Sequence, residues 1–277
     1  MHEYFNLFSE VGEMMGSFVL TFAALIAIYL TKVEKYGIDT NLKKRIFLGV
    51  IIGLGVVLGL VTAVGFGGHG QINPAVTLMV AGMDEHFEQV PAIIAFQFLG
   101  AAMAAGMTLF TVKMWGETKN LKESFTFNKQ SPAKSAVIEV VGNILWLLPI
   151  AAMLGMMVNA KLNLHGFQGT MVPDTDPKNP NGFIFQSIKH GVDAGNFGHF
   201  QLGVAAFAGK FILVAVFEEF GAANFNSQVI MGKWIVTAVS HRGKITKREF
   251  LSEGAAFTMT LAIGAALGPL AHVLVNR

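Results

Sequence analysis

The sequence has no cysteine and few charged residues. Only 14% of its 277 residues are Asp, Glu, Lys or Arg, whereas soluble domains carry about 25%. Without Cys, the chain has no disulfide framework, no thiolate metal site and no Cys nucleophile. The His, Asp and Glu residues show no spacing typical of metal ligands, and a net charge of +2 gives no sign of nucleic-acid binding. We therefore expect no metal, no cofactor and no nucleic-acid partner.

Long apolar segments dominate the chain, which is 53% hydrophobic with a mean hydropathy of +0.53. Two further apolar segments, near 73–82 and 226–235, are too short to cross a bilayer. The pattern predicts an all-α, multi-pass protein of the plasma membrane. The six segments that are long enough to span are 10–30, 46–66, 87–112, 135–158, 200–220 and 250–275.

The order of the segments repeats, because a short segment follows the second and the fifth long ones. Glu13 and Glu139 occupy matching places in the first and fourth segments, and Asn73 matches Asn226. This is the pattern of an inverted repeat. We predict one membrane domain over 1–277, with repeats at 1–112 and 135–277 and an inserted polar loop at 159–199.

The stretch from Gly67 to Thr77 predicts a helix that starts inside the membrane. Asn73 is a good N-cap, and Pro74 suits the first helical position because its missing N–H has no intrahelical partner there. A half-length helix at this depth is tolerated only inside the protein or beside a wet cavity, where its positive end faces whatever passes.

The motif Asn73-Pro74-Ala75-Val76-Thr77, placed after the second long segment, resembles the aquaporin and glycerol-facilitator family. The resemblance implies six transmembrane helices and two re-entrant half-helices whose N-termini meet at mid-bilayer. It also implies a pore constriction formed by Asn73, Pro74, Ala75, Asn226, Ser227 and Gln228.

Two pairs of residues take roles from this resemblance. Asn73 and Asn226 donate to the passing molecule, while Glu13 and Glu139 accept hydrogen bonds from the loops that lead to the half-helices. The alternatives are that the carboxylates only face a wet cavity, and that Asn226 only caps its helix. The second motif, Asn226-Ser227-Gln228-Val229, departs from the family's Asn-Pro-Ala-Arg.

The selectivity filter that the resemblance implies is aliphatic here. Val229 stands where the family has a charged arginine, and spacing from the half-helices assigns the other positions to Val214, Ala223 and either Ile52 or Gly53. Such a filter has no fixed donor, so it should be wider and more hydrophobic than a water-selective one.

Lys210 is a second departure, because it lies inside the fifth long segment, one helical turn before Val214. An isolated lysine at that depth is costly unless it faces water or a partner. We expect Lys210 to line the pore as a cation barrier, an anion attractor or a plug. The alternative is a lysine that extends to the membrane surface.

The distribution of positive charge disagrees with the orientation that the resemblance implies. Cytoplasmic termini would place segments 31–46, 113–134 and 233–249 outside, yet these hold 15 of the 20 Lys and Arg residues. The positive-inside rule predicts the reverse orientation.

Function is expected to be passive rather than enzymatic. The leading hypothesis is a channel for small uncharged solutes such as water or glycerol, which the resemblance implies is a homotetramer in lipid. The alternatives are a non-conducting or regulatory protein on the same scaffold, and a channel for small organic acids or anions that uses Lys210.

Overall fold

The computed structural model describes residues 7–84, 87–126, 130–163, 169–173, 183–187, 194–217, 225–241 and 245–275. Six long helices follow the order expected from the sequence. They are α1 (Leu7–Lys32), α2 (Asn41–Gly65), α4 (Val90–Met114), α6 (Pro132–Asn163), α7 (Ala194–Phe217) and α9 (Lys247–Val275).

Two shorter helices complete the repeat. Helix α3 (Pro74–Asp84) follows α2, and α8 (Ser227–Ser240) follows α7. The N-caps lie where the sequence predicts them, and α8 runs five residues beyond the predicted end at 235. The connector between α4 and α6 adds the short helix α5 (Leu121–Ser124) and a 3₁₀ turn at Thr118–Asn120, and Lys35–Gly37 forms another such turn.

Helices α1, α2, α4, α6 and α9 are the five, among the described residues, that are long and apolar enough to cross a membrane. The prediction of a helical, multi-pass membrane protein is therefore confirmed, and one short strand pair is its departure from a purely α-helical fold among the described residues. Where side chains are described, the buried apolar residues form three clusters between the helices rather than one central core.

The segment 159–199 is more regular than the polar loop predicted for it. Helix α6 continues to Asn163, and α7 begins at Ala194. Between them, strands β1 (Gly169–Pro173) and β2 (Phe183–Ser187) pair antiparallel, with Met171 opposite Phe185. The Pro, Gly and Asn residues around these strands dominate the composition and hide their β-forming residues, which include Val172 and Ile184.

Candidate functional site

Two capped helix N-termini form the centre of the site. Asn73 precedes α3, and its Oδ1 accepts from the backbone N–H of Ala75 at 3.0 Å. Asn226 precedes α8 and accepts from the N–H of Gln228, also at 3.0 Å. In each case one side-chain oxygen satisfies an N–H that the first helical turn leaves without a partner.

The two N-termini are joined by reciprocal hydrogen bonds. Asn73 Nδ2 donates to the carbonyl of Phe225 at 3.4 Å, and Asn226 Nδ2 donates to the carbonyl of Ile72 at 3.3 Å. We call the peptides of Ile72 and Phe225, with their partners, the first and second junctions. Since each amide nitrogen carries two hydrogens, each Asn keeps one N–H beyond this bond.

Both junctions store backbone strain. The φ angles of Ile72 and Phe225 are 38° and 43°, in the left-handed region that non-glycine residues rarely adopt. A β-branched residue such as Ile72 is especially unsuited to it. Strain of this kind persists only where surrounding bonds over-determine the conformation, and the carboxylates below supply such bonds.

Glu13 holds the first junction. Its carboxylate is fully buried and accepts from the backbone N–H groups of Gln71 at 2.9 Å and Ile72 at 2.7 Å. Gln97 Nε2 donates to the same carboxylate at 3.1 Å and to Thr77 Oγ1 of α3 at 3.0 Å. The groups named here that hold this buried charge are neutral donors.

Glu139 holds the second junction with a different set of partners. It is also fully buried and accepts from the backbone N–H of Phe225 at 3.0 Å. Thr260 Oγ1 donates to it at 3.1 Å and Asn143 Nδ2 at 3.3 Å. The aromatic ring of Phe225 fills the space that a side chain at Gly142 would need.

Lys210 is buried at this second junction. Its side chain is 1% exposed, so it does not extend to the membrane surface. The ammonium donates to the carbonyl of Phe225 at 3.1 Å and lies 4.6 Å from the centre of the Trp146 ring. Because Asn73 donates to the same oxygen, the ammonium lies directly beside the crossing of the two helix ends.

The first junction carbonyl also has a second donor. Gln228, which stands in place of the family's alanine, donates through Nε2 to the carbonyl of Ile72 at 2.7 Å. Gln228 Oε1 and the hydroxyl of Ser227 are buried and have no hydrogen-bond partner within the described part of the chain. Polar atoms without a protein partner therefore lie at the crossing.

Three of the predicted filter residues lie in one apolar cluster. Ile52, Val214 and Val229 are 7%, 2% and 3% exposed and pack together with aliphatic residues of α1 and α2. Gly53 lies against the ring of Phe207, which leaves no room for a side chain. Ala223 lies outside the described residues.

Sequence reasoning did not assign a role to several residues at the junctions. Gln97 and Thr260 are buried and occupy equivalent places beside Glu13 and Glu139. The only signal in the sequence is local, because each is a polar residue between two apolar ones, Phe96 and Phe98 for Gln97 and Met259 and Leu261 for Thr260. Phe225 and Trp146 carry no comparable signal.

The helix order and the two crossed N-termini are the architecture of an aquaporin-type membrane protein. An X-ray structure of the aquaglyceroporin from Plasmodium falciparum matches with a TM-score of 0.59, covering 98% of this chain and 94% of that one. The sequences are 15% identical, so this match shows the fold.

The sequence comparison points to the same family. Aquaporin NIP3-1 of Arabidopsis thaliana is 29% identical over 146 residues, which cover 51% of this chain. The chain spans 43% of the length of this curated relative. No protein-family model matches the sequence. The chain is therefore similar to aquaporins in its fold and over about half of its sequence.

Proposed function

We propose that the protein is a passive channel for small uncharged solutes such as water, glycerol or similar polyols, with no catalytic residues and no cofactor. The observation that carries the proposal is the reciprocal bonding of Asn73 and Asn226 between two helix N-termini. Two helix N-termini buried against each other inside a membrane protein are typical of a site that solutes pass.

The crossing can bind a solute through both donors and acceptors. The second N–H of each Asn amide donates, while Ser227 Oγ and Gln228 Oε1 accept. The positive ends of α3 and α8 oppose the passage of cations at the same point. A neutral hydroxyl-bearing solute can replace its lost hydration here without bringing charge into the membrane.

The filter positions favour solutes with apolar surface. Ile52, Val214 and Val229 offer methyl groups and no charge. A filter made of these residues accommodates the carbon face of a polyol better than a charged filter does. We expect Val229→Arg to narrow the passage and reduce glycerol flux more than water flux. Val229→Leu is the matched control, because it adds bulk without charge.

Stopped-flow swelling of proteoliposomes that contain the full chain tests the proposal. We expect water or glycerol flux above that of empty liposomes, and Asn73→Asp to reduce it because one donor at the crossing is lost. Flux equal to that of empty liposomes for water, glycerol and urea would favour the alternative of a non-conducting or regulatory protein.

A second candidate function is the passage of small organic acids, which the position of Lys210 favours. Its ammonium lies at the crossing, where a carboxylate could accept from it. Lactate flux that falls in Lys210→Gln while glycerol flux is retained would support this role. Lactate flux at the level of empty liposomes in the unchanged protein removes it.

The plasma membrane and a homotetrameric assembly are also proposals. Exposed apolar side chains on α2, such as Leu54, Leu58 and Val61, suit contact with lipid or with another copy. Light scattering of the detergent-solubilised protein, corrected for detergent, measures the number of copies. A monomeric mass would contradict the tetramer.

A further inference from the structure

The two ends of the molecule, where the connectors between the helices lie, differ in charge. Contacts between connectors show which segments form the basic end. Tyr29, near the end of α1, donates a hydrogen bond to Glu117 in the connector after α4. His241, which ends α8, is hydrogen-bonded through Nε2 to the carbonyl of Phe125 at 2.9 Å. Ser135 and Ser252, near the starts of α6 and α9, share a hydrogen bond of 2.6 Å.

These contacts bring the described parts of segments 31–46, 113–134 and 233–249 to one end of the molecule, which we call the basic end. By sequence, the three segments hold 15 of the 20 Lys and Arg residues and only five Asp or Glu residues. Many of the positive side chains are exposed there. These are Lys32, Lys43, Lys113, Lys119, Lys122, Lys134, Lys247 and Arg248.

The opposite end contains the loop before α3. Gly12, near the start of α1, packs against Gly68 of this loop. Seventeen residues of α1 separate Gly12 from Tyr29, which is about 26 Å at 1.5 Å per residue. This distance is close to the thickness of a hydrocarbon core, about 30 Å. Residues 66–70 and the basic end therefore belong to opposite faces of a membrane.

The boundary of the basic end carries aromatic residues. Trp115 is 42% exposed beside Tyr29, and Trp234 stacks on Phe250 with ring centres 5.8 Å apart. Tryptophan favours the level of the lipid head groups. The positive side chains beyond it are thus placed at head-group depth, where each Lys or Arg gains free energy from an anionic leaflet.

We propose that the basic end faces the cytoplasm and lies against anionic lipid head groups of the inner leaflet. This orientation is the reverse of the one that the family resemblance implies. It follows from the positive-inside rule, because the bias resides in short connectors close to the helix ends. It is independent of the channel proposal, since a passive pore conducts in either orientation.

The absence of native cysteine permits a test without background labelling. Thr118→Cys places a thiol in an exposed turn of the basic end, and His69→Cys places one in the exposed loop at the opposite end. Both full-length variants are treated with a membrane-impermeant maleimide in intact cells and again after permeabilisation. The second treatment shows that each thiol is present and reactive.

We expect His69→Cys to be labelled in intact cells and Thr118→Cys only after permeabilisation. Labelling of Thr118→Cys in intact cells, alone or together with His69→Cys, would overturn the proposal. So would a His69→Cys thiol that reacts only after permeabilisation.

The charge itself is tested by a triple substitution in the Thr118→Cys variant. Lys113, Lys119 and Lys122 are all exposed in one connector. Replacing the three by Gln should increase labelling of Thr118→Cys in intact cells at least several-fold, whereas replacing them by Arg should leave it unchanged. Equal labelling of the Gln and Arg triples would show that these charges do not set the orientation.

Discussion

At the first junction Glu13 accepts from the backbone N–H groups of Gln71 and Ile72, while at the second Glu139 accepts from the N–H of Phe225 and Lys210 donates to the carbonyl of that same residue. The backbone conformation is alike in both, with a left-handed residue before the capping Asn. The carbonyl of the first junction accepts from the neutral amides of Asn226 and Gln228, whereas that of the second accepts from the Asn73 amide and the Lys210 ammonium. Different hydrogen-bond donors therefore hold the same left-handed backbone conformation at the two junctions.

The difference has a physical reason in the sequence. Pro74 fixes φ at the first helical position of α3, while Ser227 at the start of α8 does not. The second half-helix also lacks the family's arginine, since Val229 occupies that place. Lys210 and Glu139 supply rigidity to a loop whose own motif supplies less.

The largest expected effect is on the buried charges of Glu139 and Lys210, which bind the N–H and the carbonyl of Phe225. Glu139→Gln leaves the Lys210 ammonium buried without its counter-charge, which should lower the free energy of unfolding by about 3–5 kcal/mol. Glu13→Gln should cost about 1–3 kcal/mol, because that carboxylate is held by neutral donors. Thermal unfolding of both variants in detergent compares them.

A double variant sharpens this comparison. Glu139→Gln with Lys210→Met removes both charges, so it should recover part of the stability that Glu139→Gln alone loses. A double variant that is less stable than Glu139→Gln would show that the charges of Glu139 and Lys210 do not stabilise each other. Glu13→Gln with Lys210→Met is the matched control, and its two costs should simply add.

A smaller effect is expected at the residues beside the carboxylates. Gln97→Leu removes donors to both Glu13 and Thr77, and should cost about 1–3 kcal/mol. Thr260→Val removes one donor to Glu139, with an expected cost of about 0.5–1.5 kcal/mol. We expect Gln97→Leu to melt at a lower temperature than Thr260→Val, because the first junction should depend more on its side-chain donor than the second does. The reverse order of melting temperatures would contradict this.

The smallest effect is expected for Gln228→Ala, which restores the family's residue. It removes the bond from Nε2 to the carbonyl of Ile72, at a cost of about 0.5–1.5 kcal/mol. Asn226 still donates to that carbonyl, so the junction should persist. Water flux in proteoliposomes should fall, because Gln228 Oε1 is an acceptor at the crossing, and Gln228→Glu serves as the isosteric control without the donor. Unchanged flux in Gln228→Ala would mean that this oxygen takes no part in binding the solute.

The features that depend on local sequence signals could be predicted, whereas those that depend on contacts between distant parts of the chain could not. Asn73 and Pro74 alone predict the start of a helix, and the sequence repeat predicts a second start at Asn226. The fold was therefore predictable in outline. The partners of Lys210 were not, because Glu139, Lys210 and Phe225 belong to three separate parts of the chain. Nothing near Lys210 in sequence indicates which backbone group it binds.

The reciprocal bonds also constrain how the protein is made. The Asn73 amide binds a carbonyl 152 residues later in the chain, and the Ile72 carbonyl waits for an amide 154 residues later. On a growing chain, the first half-helix must stay in place without its partner until nearly the whole protein has entered the bilayer. Its attachments to Glu13, only 58 and 59 residues away, and to Gln97, 20 residues from Thr77, are contacts available to hold it during that interval.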